Sequence, residues 1–147
     1  MVYMSDIYQP GPALYPQLVK IWEAAVRKTH HFLLMEDILY YKSLVATYLP
    51  GMELYCMNHN GVVAGFMGLS DGMVQALFIH PDASGNGLGT RLMRFAIDEK
   101  QILRVDVNEQ NEAALGFYQH LGFVVNGRTE LDSSGRPYPV LLLHIPQ

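Results

Sequence analysis

The stretch MVQALFIHPDASGNGLGTRLMRFA, residues 73–96, decides the fold. It opens on an apolar run, Met73 to His80, which Pro81 ends as it would end a strand. Gly85, Gly87 and Gly89 follow within a few residues, and Leu88, Leu92, Phe95 and Ala96 then fall on one face of a helix. Glycines let a backbone turn tightly and come close to a ligand. A helix start adds unpaired N–H groups and the positive end of the helix dipole. The order strand, glycine loop, helix therefore describes a seat for an anion such as a pyrophosphate.

Two familiar phosphate loops fit poorly. A P-loop ends in Gly-Lys-Ser/Thr, and Gly89-Thr90-Arg91 does not supply it. A dinucleotide fingerprint needs Gly-x-Gly-x-x-Gly, and its third glycine is replaced by Thr90. Asp106 could serve as that fold's acidic residue, but the strands upstream do not suit a doubly wound sheet. On spacing alone the segment reads equally as a glycine-rich turn and as a phosphate loop.

Upstream, Met52–Asn58 and Val62–Leu69 read as strands joined by Asn60-Gly61, and Asp71-Gly72 turns the chain into Met73–His80. Three consecutive hairpin-linked strands predict an antiparallel meander. Before it, Leu14, Leu18, Ile21, Trp22 and Ala25 predict a helix over Ala13–Lys28, and a second runs over Glu36–Tyr48 until Pro50-Gly51 stops it. Residues 2–8 read as a short first strand. Downstream come a strand over Ile102–Val107, a helix over Asn111–Leu121, and strands over Phe123–Glu130 and Tyr138–Ile145 joined by the turn-rich Asp132–Gly135. The order β-α-α-β-β-β-α-β-α-β-β predicts a mixed α/β fold of the α+β type. Its central twisted sheet should be mostly antiparallel, of about seven strands, with one parallel crossover. Residues 1–147 read as a single domain.

Half of the residues are hydrophobic, enough for a sizeable core, and the net charge of -4 argues against a nucleic-acid partner. Cys56 is the only cysteine, which excludes an internal disulfide and points to a reducing compartment. The first residues carry no signal-peptide pattern, and no stretch approaches the ~20 apolar residues of a membrane helix. A cytoplasmic protein without membrane or nucleic-acid partners is expected. The histidines show no ligand spacing, so no metal is expected.

A second motif, Asn111-x-x-Ala114-x-x-x-Tyr118-x-x-x-Gly122-Phe123, lies one strand beyond the glycine loop. Taken together, the two motifs and the element order resemble the GNAT superfamily of acetyl-CoA-dependent N-acetyltransferases over nearly the whole chain. A closer likeness to one bacterial acetyltransferase is carried by residues 29–33, 107–111 and 135–139. The family loop is Arg/Gln-x-x-Gly-x-Gly/Ala. Gly87 and Gly89 match it and Gly85 fits a common extra glycine, but Ser84 stands where Arg or Gln is usual.

The resemblance implies acetyl-CoA as co-substrate, an amine acceptor that is a small molecule or a protein, and a monomer or homodimer. It implies that Gly85, Asn86, Gly87, Leu88, Gly89 and Thr90 hold the pyrophosphate. Leu77, Phe78 and Ile79 would pair with the pantetheine arm between two splayed strands, Asn111 would bind that arm, and Tyr118 would be the catalytic acid. The base is not given by the motifs. His30 and His31, in the loop where the family builds its acceptor pocket, are candidates, as are His80 and Glu36. Cys56 has no activating histidine beside it and reads as a buried structural residue. The alternative is a non-catalytic module that binds acetyl-CoA and senses it.

Overall fold

The structure is a computed structural model that describes residues 6–147. A 3-10 turn at Pro12–Leu14 leads into helix α1 (Tyr15–Thr29), followed by α2 (Met35–Tyr48). Strands β1 (Glu53–His59), β2 (Val62–Ser70) and β3 (Met73–Ile79) form the meander. Both of its turns, Asn60-Gly61 and Asp71-Gly72, have positive φ at each central residue, the geometry whose twist matches that of paired strands. Helix α3 (Leu88–Lys100), β4 (Arg104–Asn108), α4 (Glu112–His120), β5 (Val124–Thr129) and β6 (Val140–His144) complete the chain.

The strands form one six-stranded sheet in the order β1-β2-β3-β4-β6-β5. All neighbours are antiparallel except β3 and β4, which are parallel. Of the strand expected over residues 2–8, residues 2–5 lie outside the described residues. Tyr8 meets β1 in a single bridge to Cys56, so the described sheet has six strands where about seven were expected. The three strands after α3 start later than their apolar runs, and β1 starts one residue late, at Glu53. Gln101 closes α3 in the left-handed region at φ 54°, and β4 pairs only from Arg104. Leu121 and Gly122 close α4, and β5 starts at Val124. Pro139 lacks an N–H for the ladder, and β6 starts at Val140.

Two apolar layers flank the sheet. On one face Leu18, Ile21, Trp22 and Val26 of α1 and Ile38 of α2 pack on Leu54, Cys56 and Phe66. On the other, Leu92, Met93 and Ala96 of α3 and Tyr118 of α4 pack on Met67, Val74, Val105 and Val107. This three-layer burial is what an alternating α/β chain with both sheet faces apolar must reach.

The sheet parts in its middle. Gly68 pairs with Ala76 but Leu69 pairs with Val74, so Gln75 is an extra residue on β3. Such a bulge bends the strand that carries it. Directly before it, Val74 makes the one register pair between β3 and β4, with Val105. The backbone of β3 beyond Gln75 is therefore paired with β2 on one side only. The splay expected from the family resemblance is present, and a bulge accounts for it.

Candidate active site

The glycine loop begins at His80, whose Nδ1 accepts the Asp82 N–H at 3.1 Å. After the 3-10 turn Pro81–Ala83, Gly85 and Gly87 take φ of 83° and 78°, where a side chain would strain the backbone. Gly87 is the N-cap of α3, no side chain caps the helix, and the first turn holds no acid. Arg91 N–H is the first to bond back, to Gly87 O at 3.0 Å. The N–H groups of Leu88, Gly89 and Thr90 are thus left for an anion. Asn86 folds its side-chain amide onto Ala83 O at 2.9 Å, so its side chain braces the loop and only its backbone can face a ligand.

Where β3 and β4 part, a cleft of about 630 Å³ runs between the α1–α2 layer and the loop between β5 and β6. Val74 to Phe78 of β3 form one wall and Val105 to Asn108 of β4 the other. The unpaired edge of β3 offers backbone donors and acceptors to an extended ligand, as a sheet edge does to an added strand.

Tyr118 lines this cleft and is 7% exposed. Its ring stands edge-on to Phe117 and Phe123, at centroid distances of 5.2 and 5.8 Å. Burial pushes its phenol well above the ordinary tyrosine range. The hydroxyl therefore stays protonated and acts as a donor.

His30 caps the C-terminal end of α1 and reaches the same cleft. Its Nε2 lies 3.4 Å from Asn111 Nδ2, and its Nδ1 lies 2.8 Å from Thr29 Oγ1. Thr29 Oγ1 donates to Ala25 O at 2.8 Å, so Thr29 must accept from Nδ1–H, and Nε2 is left as the acceptor of the Asn111 amide. Asn111 Oδ1 is occupied in capping α4, accepting the Ala114 N–H at 3.1 Å. Burial, aided by His31, lowers the His30 pKa from 6.5 to about 4. The folded chain holds this imidazole neutral, whereas the unfolded chain charges it below about pH 6.5. Its contribution to stability is thus full above pH 6.5 and is lost as pH falls to about 4. A His30→Gln variant will show a shallower loss of stability than the parent across that window in urea titrations. Parallel curves would refute this assignment.

The far wall is a strap from the β5–β6 loop to α2. Asp37 accepts from Arg136 Nε at 2.9 Å and from the Tyr138 hydroxyl, and the Arg136 guanidinium lies 3.6 Å from the centre of the Tyr40 ring. Asp132 Oδ1 accepts the N–H groups of Ser134 and Arg136 at 3.0 and 2.9 Å, and its Oδ2 accepts from Tyr41. The Tyr138 and Arg136 bonds hold the Asp37 carboxyl below its usual range.

The residues singled out in the sequence divide accordingly. Tyr118, Asn111, Leu77, Phe78 and His30 meet at the cleft. Ile79 packs against the core on the α3 face. His31 and Glu36 are exposed and line no wall of the cleft. His80 also lies outside the lining. With Nδ1 accepting from Asp82, its neutral form carries the proton on Nε2 and has no free lone pair for a substrate. Cys56 is fully buried, and burial pushes its thiol up to about 12, so it holds no thiolate that could carry an acyl group. Sequence reasoning missed Tyr41, Asp132 and Tyr138 as cleft residues. It read Asp106 only against a dinucleotide fold. The polar position between Val105 and Val107 was a visible signal that one strand face is open. Among the described residues no group of three His, Cys, Asp or Glu is placed to hold a metal, and no helix is long and apolar enough to cross a membrane.

Residues 50–125 match the acetyltransferase (GNAT) domain family. The peptidyl-lysine N-acetyltransferase YjaB of Escherichia coli K12 is 44% identical over 128 residues, which is 86% of this chain and 87% of that protein. The solution structure of apo YjaB from Escherichia coli superposes with a TM-score of 0.86 at 41% identity, covering 94% of this chain and 95% of YjaB. The acetyl-CoA-bound structure of yncA from Salmonella typhimurium shares the fold, with a TM-score of 0.66 at 21% identity over 96% of this chain and 94% of that one.

Proposed function

The chain belongs to the GNAT acetyltransferase family, and on that premise we propose that its 147 residues act as one domain that transfers acetyl from acetyl-CoA to a primary amine, first of all a protein lysine. The observation that carries this reading is the parting of β3 from β4 above a buried, protonated Tyr118. YjaB's acceptor, peptidyl lysine, supports the choice of amine, and the acetyl-CoA held by yncA supports the co-substrate.

The residues divide the work. Leu88, Gly89 and Thr90 hold the pyrophosphate with backbone N–H groups, and this seat does not depend on a side chain at Ser84. The free edge of β3 around Leu77 and Phe78 holds the pantetheine arm. The amine attacks the thioester carbon, the C–N bond forms and the C–S bond breaks. Tyr118 presents its O–H to the departing sulfur. The ammonium's proton must leave first. An alkylammonium has a pKa near ~10.4 and His30 one of about 4, a gap of roughly six units or on the order of 9 kcal/mol. His30 is therefore not the base, its Nε2 being taken by the Asn111 amide, and water at the cleft mouth takes the proton.

The test incubates the chain with acetyl-CoA and a peptide holding one internal lysine, following free thiol and peptide mass. The reading requires thiol release that depends on the peptide and an acetyl group on the lysine Nζ. Thiol release that ignores the amine would identify a hydrolase instead.

A further inference from the structure

The cleft has a charge sign. Asp106 and Asp132 are its carboxylates, no Lys, Arg or Glu side chain lines it, and His30 is neutral. The two carboxylates are not equivalent. Asp132 is occupied by the strap, through Tyr41 and two backbone N–H groups. Asp106 is exposed and takes part in no ion pair among the described residues; partial desolvation raises its pKa against the opposing charge of Arg104.

Its position is set by strand periodicity. Val105 and Val107 are buried on the α3–α4 face, so Asp106 between them points to the other face. There it pairs in register with Leu142 of β6. A second cavity, of about 400 Å³, lies over β4, β5 and β6 and shares Asp106 and Leu142 with the cleft. Asp106 thus stands where the cleft meets the open sheet face. Arg104, on the same strand, lines the second cavity with Asp106 and its charge acts on the carboxyl, but its Nη2 turns toward Met73 Sδ at 4.0 Å and it does not line the cleft. The same cleft is lined by apolar and aromatic side chains, Trp22, Val26, Leu44 and Tyr48 among them.

Resting on the transferase reading above, we propose that Asp106 is a specificity-determining residue that selects as acceptor a primary alkylammonium with no carboxylate beside the amine. A cleft that combines apolar walls with a carboxylate outside any ion pair accepts a methylene stem tipped by a cation. A free α-amino acid would bring its own carboxylate into a cleft that holds two acidic side chains and no cationic one. That group would be desolvated without a partner and repelled by Asp106. A lysine side chain within a peptide and a simple alkylamine share the favoured chemistry.

The test measures thiol release at saturating acetyl-CoA with three acceptors: a lysine peptide, n-pentylamine and norleucine. The unaltered chain is expected to use the peptide or the alkylamine, which identifies the source of the cation, and to use norleucine at least roughly tenfold less well in kcat/KM. Asp106→Asn is expected to raise KM for the cationic acceptor by roughly tenfold to thirtyfold with a smaller change in kcat, and Asp106→Glu to restore most of it. Acetyl-CoA binding by calorimetry shows that each variant is folded, and Asp106→Ser replaces an Asn variant that is not. Equal use of norleucine, or an unchanged KM in both neutral variants, overturns the inference and leaves the transferase reading standing. No transfer to any amine by the unaltered chain overturns both.

Discussion

Tyr118→Phe is expected to lower kcat for acetyl transfer by about a hundredfold to a thousandfold, the range for loss of a positioned acid, with acetyl-CoA affinity nearly unchanged. The substitution removes one oxygen and keeps the ring that packs edge-on between Phe117 and Phe123. Burial is the cause that raises the Tyr118 phenol, with no charged neighbour contributing. The protein therefore loses no hydrogen bond, and stability should change by less than about 1 kcal/mol. What disappears is the buried donor placed for a departing thiolate. Stopped assays of free thiol with a lysine peptide, beside calorimetry of acetyl-CoA, check both halves. A variant with full turnover would remove Tyr118 from the chemistry. A parent that binds acetyl-CoA but has no turnover to lose would favour a sensing module over an enzyme.

Gly87→Val is expected to weaken acetyl-CoA binding by roughly a hundredfold. At φ 78° a β-branched residue costs about 1–2 kcal/mol in backbone strain, and relief of that strain would turn the first N–H groups of α3 away from the ligand. A Cβ at Gly87 meets nothing within 4 Å in the protein, so the loss would not come from a clash in the core. Gly87→Ala should fall between parent and valine variant. Calorimetric dissociation constants across the three, with thermal melts to show that the fold survives, check the ordering. Equal affinities would mean that the pyrophosphate is held elsewhere.

Most of the fold was legible because its signals are local. Asn60-Gly61 and Asp71-Gly72 announce two tight hairpins, and both have the geometry that their residue types favour. The apolar spacing of Leu18, Ile21, Trp22 and Ala25 defines the buried face of α1. The Asn111–Tyr118 motif marked part of the cleft, and the glycine loop marked the start of α3. What stayed hidden depends on partners distant in sequence. The extra residue Gln75 exists only relative to the register of β2, and no periodicity within β3 marks it. Asp106 alternates between two valines as any half-buried strand residue does, and the uncovered face follows from where α2 and the β5–β6 loop settle. The strap joins Asp37 to Arg136 and Tyr138 across about two-thirds of the chain, beyond the reach of local pattern. His80 illustrates the reverse case. Its place at the end of β3 suggested chemistry, but the Asp82 N–H occupies the nitrogen that a base would use.

The central claim is that the loop from Gly85 to Thr90 and the parted strands form a seat for acetyl-CoA. Calorimetric titration of the chain with acetyl-CoA, beside CoA, ATP and NAD, tests it most directly. Saturable binding of acetyl-CoA and CoA is expected, with little heat from ATP or NAD. No heat from acetyl-CoA, or equal heats from ATP and NAD, would contradict it.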